Sequence, residues 1–292
     1  LTDIQVKFEL DTRMLVDSSK LGMDGADLRV TDDALNTLPF YGREFNLDSA
    51  NTIWVKIPSL AANDSVKLNV YYGNDTASSA LNGDATFLFF DDFGIADSVN
   101  PSKWETIGGF EEFRVNNGRL EYASNGMNPG PRFKCCRTKT PFDRELDFDF
   151  KAEVSNTNGF GFSSLDDTLT RIIFRQSGFG FDTLNQVTYN EDTVNNGISI
   201  SQEYPLIRFE RREPTNGNIR AGIENDLLTL YRFSNTEIPS AAADTFQVDR
   251  ATMTGFHFIL SSFIGFSVYL DYLWVREPLP DEISFAIGAE QN

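Results

Sequence analysis

The strongest constraint on the fold of this chain is a repeated alternation of apolar and polar residues with a period of two. Leu146–Val154 (LDFDFKAEV) alternates throughout, and Ile4–Leu10 is apolar at every second position. This period sends successive side chains to opposite faces of a strand, whereas a helix needs a period near 3.6. The sequence has no convincing amphipathic helix of about 12 residues. It therefore predicts an all-β protein.

The first part of the chain has short strand patterns separated by turn residues. Thr52–Pro58 (TIWVKIP) places two isoleucines and a valine on one face, and Trp54 and Lys56 on the other. Val66–Tyr72 alternates again and stops at Gly73, where an Asn and an Asp follow as turn signals. These patterns predict a small β-sandwich domain at residues 1–86.

The segment Leu88–Phe93 (LFFDDF) marks the predicted junction with a second, longer domain at residues 87–292. Asn117-Gly118 predicts a tight hairpin turn, because both residues tolerate positive φ. Leu206–Arg212 is expected to pair with Ile219–Ile223. With roughly a dozen strand patterns, this domain is expected to be a jelly-roll sandwich, and the 26 Phe residues suit a core between two sheets.

Charge and composition exclude several partners. The chain has 43 acidic and 25 basic residues, a formal net charge of -18. Nucleic acid and anionic membrane surfaces carry the same sign, so neither is an expected partner. No run of about 18 apolar residues exists, so membrane insertion is not expected. The acidity fits an extracellular protein, calcium affinity or life at high salt, although solubility alone also explains it. Because the chain begins at Leu1, we expect a processed or trimmed product.

The cysteine and histidine content limits the possible chemistry. Cys135 and Cys136 are neighbours, and consecutive Cα atoms lie about 3.8 Å apart, which is short for an ordinary disulfide. We expect one buried and one partly exposed thiol; a strained vicinal disulfide or an intersubunit bridge are the alternatives. The single histidine, His257, lies in an apolar strand pattern and is interpreted as structural. Nucleophilic triads and zinc clusters are excluded by this inventory.

Four sequence blocks in the first domain carry a resemblance. They are LTDIQVKFEL, DGADLRVTD, TIWVKIPSL and VKLNVYYGNDTASS, and their order and spacing resemble the domain-of-unknown-function family 2341. The resemblance implies an occurrence in cell-surface proteins and in phage tail or virion proteins. Family members usually have a further N-terminal strand ahead of the point where this chain begins. That strand is expected to be missing, trimmed, or supplied by another chain.

The second domain resembles concanavalin A-like lectin/glucanase jelly rolls. The motifs are DDF, SKW and NNGRL near its start, and VYLDYLWVRE and IGAE near its end. The resemblance implies a structural calcium that joins Asp91 and Asp92 to Asp271. A hard cation of this kind takes six to eight oxygen ligands, which carboxylates and carbonyls supply. Because aspartate is abundant in this chain, coincidence is the alternative.

The resembled glucanases carry a Glu-x-Asp-x-x-Glu strand, and the nearest match here, Glu145 to Asp149, lacks the final Glu. Glu145, Asp147 and Asp149 would share one face of a strand at intervals of about 6.6 Å. A retaining glycosidase needs two carboxylates about 5–5.5 Å apart. We therefore expect a solvated acidic row and assign no catalytic residue.

The concave face of a jelly roll is a usual platform for sugars, which stack on aromatic rings and bind polar side chains. Candidate carbohydrate-binding residues on two predicted strands are Arg171, Arg175, Tyr204, Arg208, Glu210 and Arg212. Asn63 and Asn74 begin the sequons NDS and NDT, and they are candidate glycosylation sites if the protein is exported.

These observations predict a non-enzymatic extracellular protein for surface adhesion or glycan recognition, with a glycan or surface polymer as partner. One alternative is a structural subunit of a surface filament, phage tail or virion. It would assemble with copies of itself by strand exchange, because an unpaired sheet edge can accept a strand. Another alternative is a jelly-roll glycoside hydrolase. The expected location is extracellular, at a cell surface or in a virion.

Overall fold

The computed structural model describes residues 1–43, 45, 50–94, 98–107, 113–122, 134–144, 146–154, 159–164, 171–176, 184–189, 204–208, 215–224, 227–233, 244–247, 255–262, 268–279, 286 and 288. Within these ranges the regular structure is almost entirely strand, with two short helices, which confirms the all-β prediction. The chain divides into two compact units. Unit 1 comprises Leu1–Phe90 and Val275–Asn292, and unit 2 comprises Asp91–Trp274.

Unit 1 contains a three-stranded and a two-stranded antiparallel sheet. Its elements are β1 (Thr2–Asp11), α1 (Thr12–Asp17), β2 (Arg29–Thr31), β3 (Phe40–Gly42), β4 (Ala50–Ser59), β5 (Asn69–Tyr71) and α2 (Gly83–Thr86). The first sheet has the order β1-β4-β3, and β2 pairs with β5. The predicted strand at Val66–Tyr72 is correct only at its end, because Val66 lies outside β5 and is exposed.

Strand β4 lies in the middle of its sheet, and its residues are buried on both faces of that sheet. Ile53 and Val55 have no exposed surface, and they belong to an apolar cluster with Ile4, Phe40 and other residues of unit 1. On the other face, Trp54 is only 6% exposed. Its ring meets that of Phe87 edge-on at 5.9 Å.

Aromatic side chains pack closely against the second face of this sheet. The Arg276 guanidinium lies 4.8 Å from the centroid of Trp54. The ring of Tyr41 meets that of Phe90 at 4.6 Å. A Cβ at Gly83 would lie only 2.4 Å from the ring of Phe90, so this position requires glycine.

The remaining strands form two large antiparallel sheets. They are β6 (Phe89–Asp91), β7 (Trp104–Ile107), β8 (Phe113–Asn116), β9 (Arg119–Tyr122), β10 (Lys134–Thr138), β11 (Leu146–Val154), β12 (Gly159–Ser164), β13 (Arg171–Gln176), β14 (Leu184–Tyr189), β15 (Tyr204–Arg208), β16 (Thr215–Glu224), β17 (Leu227–Phe233), β18 (Asp244–Gln247), β19 (Phe256–Ser262) and β20 (Val268–Arg276). The seven-stranded sheet has the order β15-β14-β13-β12-β19-β10-β7. The eight-stranded sheet has the order β18-β17-β16-β11-β20-β9-β8, with β6 beside β20. These two large antiparallel sheets confirm the predicted jelly-roll sandwich.

Phenylalanine fills the space between these two sheets, as predicted. Phe148 and Phe150 of β11 are at most 1% exposed. Their rings contact Phe256 at 5.9 Å and Phe258 at 5.8 Å, respectively, and both of these residues lie on β19 of the other sheet. Complete burial of one such side chain contributes about 1.5–3 kcal/mol. The alternation in β11 therefore fixes which face of the eight-stranded sheet meets the core.

The turn between β8 and β9 follows its sequence signal. Asn117 and Gly118 have φ values of 51° and 71°, as a type I′ hairpin requires. No helix in the described ranges is long and apolar enough to cross a membrane.

Candidate functional site

The acidic row of β11 lies on the face of the eight-stranded sheet that points away from the aromatic core. Asp147 is nevertheless only 2% exposed, while Asp149 is partly exposed. In the strand register Asp147 lies opposite Arg220, and Asp149 lies opposite Asn218. Glu145 lies outside the described residues. The expectation of a solvated acidic row is therefore wrong for Asp147, which is buried, while Asp149 on the same face keeps part of its surface exposed.

Two further carboxylates occupy the same face, on β20 and β9. Asp271 lies 3.8 Å from the guanidinium of Arg119, which is also stacked 4.2 Å from the ring centroid of Tyr269. Glu121 is 6% exposed and accepts hydrogen bonds from Arg114 and Asn116.

We call this surface the acidic face and define it by Glu121, Asp147, Asp149 and Asp271. Since β11 is adjacent to β20 and β20 to β9, these carboxylates are distributed over three neighbouring strands. Such a surface offers pairs of groups that can give and accept protons.

The predicted calcium ligands have other contacts in the structure. Asp91 is 9% exposed; its Oδ2 accepts the indole N–H of Trp104 at 2.8 Å, and its Oδ1 accepts the backbone N–H of Phe93 at 3.0 Å. Burial raises the pKa of Asp91, although the hydrogen bond from Trp104 opposes this shift. Asp92 accepts the N–H of Gly94.

These contacts compete with a calcium cage shared by the three aspartates. Both oxygens of Asp91 are engaged by N–H donors, and Asp271 faces the cation Arg119. The described part of the chain contains no group of three or more His, Cys, Asp or Glu residues that could hold a metal ion. The calcium site stays a prediction, and we assign it no chemical step.

Most of the predicted carbohydrate-binding residues fall on the seven-stranded sheet. Arg171 and Arg175 lie on β13, and Tyr204 and Arg208 lie on β15. Glu210 and Arg212 lie outside the described residues.

The strand register divides this sheet into rows that alternate between its two faces. Phe174, Phe160, Leu260 and Cys136 share one row, in which Leu260 and Cys136 are buried. Arg175 shares a row with Gly159 and Ser261, and Arg171 shares one with Ser163 and His257, which is itself buried. The predicted arginines of β13 thus lie in the alternate set of rows.

Strand β15 is displaced by an irregular register. Tyr204 pairs with Val187, which lies in the row of Phe174, whereas Arg208 pairs with Leu184. A register shift between Leu184 and Gln186 causes this difference. A regular alternation predicts that Tyr204 and Arg208 lie in rows of the same face. The register shift places them in rows of opposite faces.

His257 lies in the interior, as predicted. It is 6% exposed, and its Nδ1–H donates to the carbonyl oxygen of Thr138 at 2.5 Å. Burial lowers the pKa of His257, and the charge of Arg137 lowers it further. Arg137 is itself paired with Glu105 across β10 and β7. Cys136 is buried, and the side chain of Cys135 lies outside the described residues.

Both sequon asparagines are exposed and lie at turns of unit 1. Asn63 has a φ of 57°, and the side-chain oxygen of Asn74 accepts the hydroxyl of Thr76 at 2.8 Å. Glycosylation at Asn63 and Asn74 stays a prediction.

These features define a two-sheet jelly roll, one sheet of which carries an acidic outer face. Comparison with known families adds one sequence match. Residues 24–107 match the family described as "Domain of unknown function (DUF2341)", which confirms the resemblance predicted from the four sequence blocks. The match begins later and ends later than the predicted domain at residues 1–86. No curated protein matches the sequence.

Solved structures with a similar fold are concanavalin-like glucanases. The laminarinase from Rhodothermus marinus has a TM-score of 0.47 and 13% identity, over 65% of this chain and 96% of its own. SCLam, a non-specific endo-β-1,3(4)-glucanase from family GH16, has a TM-score of 0.42 and 12% identity, over 65% of this chain and 89% of its own.

A third structure is described as an immunostimulatory antigen and pseudo β-1,3-glucanase of Mycobacterium tuberculosis. It has a TM-score of 0.46 and 13% identity, over 66% of this chain and 99% of its own. At these identities the likeness concerns the fold.

The expectation of a non-enzymatic adhesion or glycan-recognition protein is corrected by these neighbours, whose names refer to glucanases and laminarinases.

Proposed function

We propose that this protein is a jelly-roll glycoside hydrolase that cleaves a β-linked glucan, with Asp147 and Asp149 as its acid and base. One observation carries the proposal: a buried carboxylate, Asp147, and a partly exposed carboxylate, Asp149, lie two residues apart on the face of β11 opposite the aromatic core. Burial of a carboxylate is unfavourable unless it is paired, and in the strand register Asp147 lies opposite Arg220.

The spacing of the two carboxylates selects a mechanism. Alternate residues on a strand lie about 6.6 Å apart, and two side chains of equal length keep about that separation. Inverting glycosidases hold their carboxyl groups about 6.5–9.5 Å apart to admit a water, and retaining enzymes about 5–5.5 Å. We therefore assign an inverting reaction to the pair.

The different exposure of the two residues assigns their roles. Asp149 is partly exposed, so it can receive and deprotonate the attacking water. Asp147, at 2% exposure, protonates the oxygen of the leaving sugar. Proton transfer by one positioned group contributes about 10²–10⁴-fold to a rate.

Release of reducing sugar from a panel of β-glucans tests this assignment. Asp147→Asn and Asp149→Asn should each lower the rate by about 10²–10⁴-fold. The matched control is Asp143→Asn, because the side chain of Asp143 is exposed and paired with Arg144 just before β11. It should keep full activity.

Proton NMR of the first product should show inversion at the anomeric carbon. A wild-type protein that is inactive on the whole panel, or variants that retain activity, would remove the proposal.

The location that follows from this function is extracellular, because the polymeric substrate cannot enter a cell. Export in a glycosylating host is expected to add glycans at Asn63 and Asn74, both of which are exposed. A loss of mass after endoglycosidase treatment, absent in the double Asn→Gln variant, is the measurement.

A further inference from the structure

Strand β1 has one long open edge. It is an outer strand of its sheet and pairs with β4, and no other strand of the described chain lies on its outer side. The opposite outer strand, β3, is short, and the carbonyl of its Phe40 accepts the backbone N–H of Asn82. The three-stranded sheet of unit 1 therefore has one edge with a further hydrogen bond and one open edge that is 10 residues long.

The register shows which backbone groups face the open edge. Lys56 of β4 lies opposite Gln5, but its backbone N–H donates to the carbonyl of Pro39, on the side of β3. Gln5 therefore directs its own backbone groups away from β4. Lys7 and Glu9 do the same, because the direction of hydrogen bonding alternates along a strand. The backbone N–H and C=O groups of Lys7 and Glu9 thus point to the open edge.

One face of β1 is covered in the first half of the strand and partly open in the second half. Ile4 and Val6 are at most 2% exposed. Phe8 and Leu10 follow on the same face, but they are only partly buried, at the margin of the apolar cluster of unit 1. The segment Val6–Leu10 therefore combines open backbone groups with partly exposed apolar side chains.

The charges of this segment are complementary to themselves. If two copies of β1 run antiparallel with their Phe8 residues opposite each other, Lys7 of each copy lies opposite Glu9 of the other. Each Lys7–Glu9 pair then exchanges two backbone hydrogen bonds and joins opposite charges. The two nearest registers with the same hydrogen-bonding pattern place Lys7 opposite Lys7 or Glu9 opposite Glu9, which is unfavourable.

Both charged side chains also have a contact on β4, which leaves them able to bind a second partner. The Lys7 ammonium lies 5.8 Å from the ring centroid of Trp54. Glu9 Oε1 accepts the hydroxyl of Thr52 at 2.6 Å. An ammonium has three donors and a carboxylate has a second oxygen, so both groups can form a further hydrogen bond.

We propose that the Val6–Leu10 edge of β1 is the interface of a two-fold dimer, in which two copies of this chain pair their β1 strands in the Phe8-centred register. The same patch serves both copies, so the assembly closes at two. A strand of different sequence would meet Lys7 and Glu9 without matched charges, which favours a second copy as the occupant. The edge belongs to unit 1, so its pairing does not depend on the carboxylates of the acidic face.

Sedimentation equilibrium of the full chain tests for the dimer. An edge contact of this length buries less than about 1,200 Å², which is typical of transient complexes, and each copy carries a formal net charge of -18. The dimer should therefore be weak, and it should form reversibly between about 1 µM and about 1 mM protein. A monomer throughout this range would overturn a second copy as the occupant of the edge.

Charge reversal tests the register. Lys7→Glu alone and Glu9→Lys alone should each weaken the dimer about tenfold, because two like-charged pairs replace two opposite ones. The double variant should dimerise like wild type, and a mixture of the two single variants should form mixed dimers. Lys67→Glu is the matched control, because Lys67 is exposed, pairs with Asp33 and changes the net charge equally. An equal effect of Lys67→Glu, or no recovery in the double variant, would refute the pairing.

Cysteine cross-linking tests the two-fold axis directly. In the proposed register the two Phe8 Cα atoms lie about 4.5 Å apart, within the disulfide range of about 4.4–6.8 Å. The two Leu10 residues are four positions out of register, about 13 Å apart. With oxidised glutathione, Phe8→Cys should give more disulfide-linked dimer than wild type, and Leu10→Cys should not. Equal yields from the two variants would overturn the proposed register, and circular dichroism checks the fold of each.

Discussion

Replacement of Asp91 by asparagine separates a structural role from a calcium-binding role for this carboxylate. Asparagine has the same shape but only one acceptor oxygen, whereas both partners of Asp91, the indole of Trp104 and the amide of Phe93, are donors. One buried donor would therefore face an NH₂ group. A buried donor or acceptor that loses its partner destabilises a protein by about 1–3 kcal/mol.

Burial of the charge acts in the opposite direction. It raises the pKa of Asp91, so ionisation is less favourable in the folded than in the unfolded chain, and asparagine avoids that penalty. We expect the hydrogen-bond loss to exceed this relief, with a net loss of about 1–2 kcal/mol at neutral pH. For a domain of about 150–250 residues this lowers the melting temperature by roughly 2–8 °C.

The pH dependence follows from the direction of the shift. A folded pKa above the unfolded value contributes stability that is fully present below the unfolded pKa and is lost as pH rises through the folded pKa. Wild type therefore gains stability from Asp91 on acidification, and Asp91→Asn does not. The difference in stability between the two proteins should be larger at pH 5 than at pH 7.

Urea unfolding at both pH values is the assay, with Asp92→Asn as control. Asp92 is partly exposed and accepts the nearby N–H of Gly94, so its replacement should change stability by less than about 0.5 kcal/mol. Equal stability of the two variants would refute the argument. So would a chelator that lowers the melting temperature of wild type but not of Asp91→Asn, because Asp91 would then be a cation ligand.

Two further predictions concern stability. Gly83→Ala should destabilise the protein by about 1–3 kcal/mol in urea unfolding, because the new methyl group would overlap the ring of Phe90; Gly94→Ala, whose methyl group has room, should be near wild type. His257 has a lowered pKa in the folded chain, mainly because it is buried, so its contribution is present above about pH 6.5 and is lost as pH falls. His257→Gln should flatten the decrease in stability between about pH 7 and pH 5.5, and an unchanged pH slope would contradict the assignment.

The alternation of residues predicts the main faces of the fold correctly. In β4 and β11 it identifies the core residues, Ile53 and Phe148 among them, because strand geometry ties every second side chain to one face. The same rule fails for Asp147. It assigns the non-core face to solvent, but the exposure of that face depends on what covers the sheet, which the local sequence does not contain.

The predicted carbohydrate residues show a second limit. Arg171 and His257 are placed in one register row by pairing through β12, although they are far apart in sequence. Long-range pairing of this kind leaves no signal in the local pattern. The shift at Leu184 moves Tyr204 to the row of Val187, and a bulge of this type is not visible in the residues themselves.

The central positions of β19 and β20 have a consequence for how the protein folds. β19 lies between β12 and β10, and β20 lies between β11 and β9, so the strands synthesised last occupy inner positions in both sheets. Thr138 and His257, which hydrogen-bond each other, are 119 residues apart. During synthesis the earlier strands keep open edges until these partners emerge, and such edges pair readily with other chains. The fold is therefore expected to form slowly, with aggregation competing until its last two long strands are inserted.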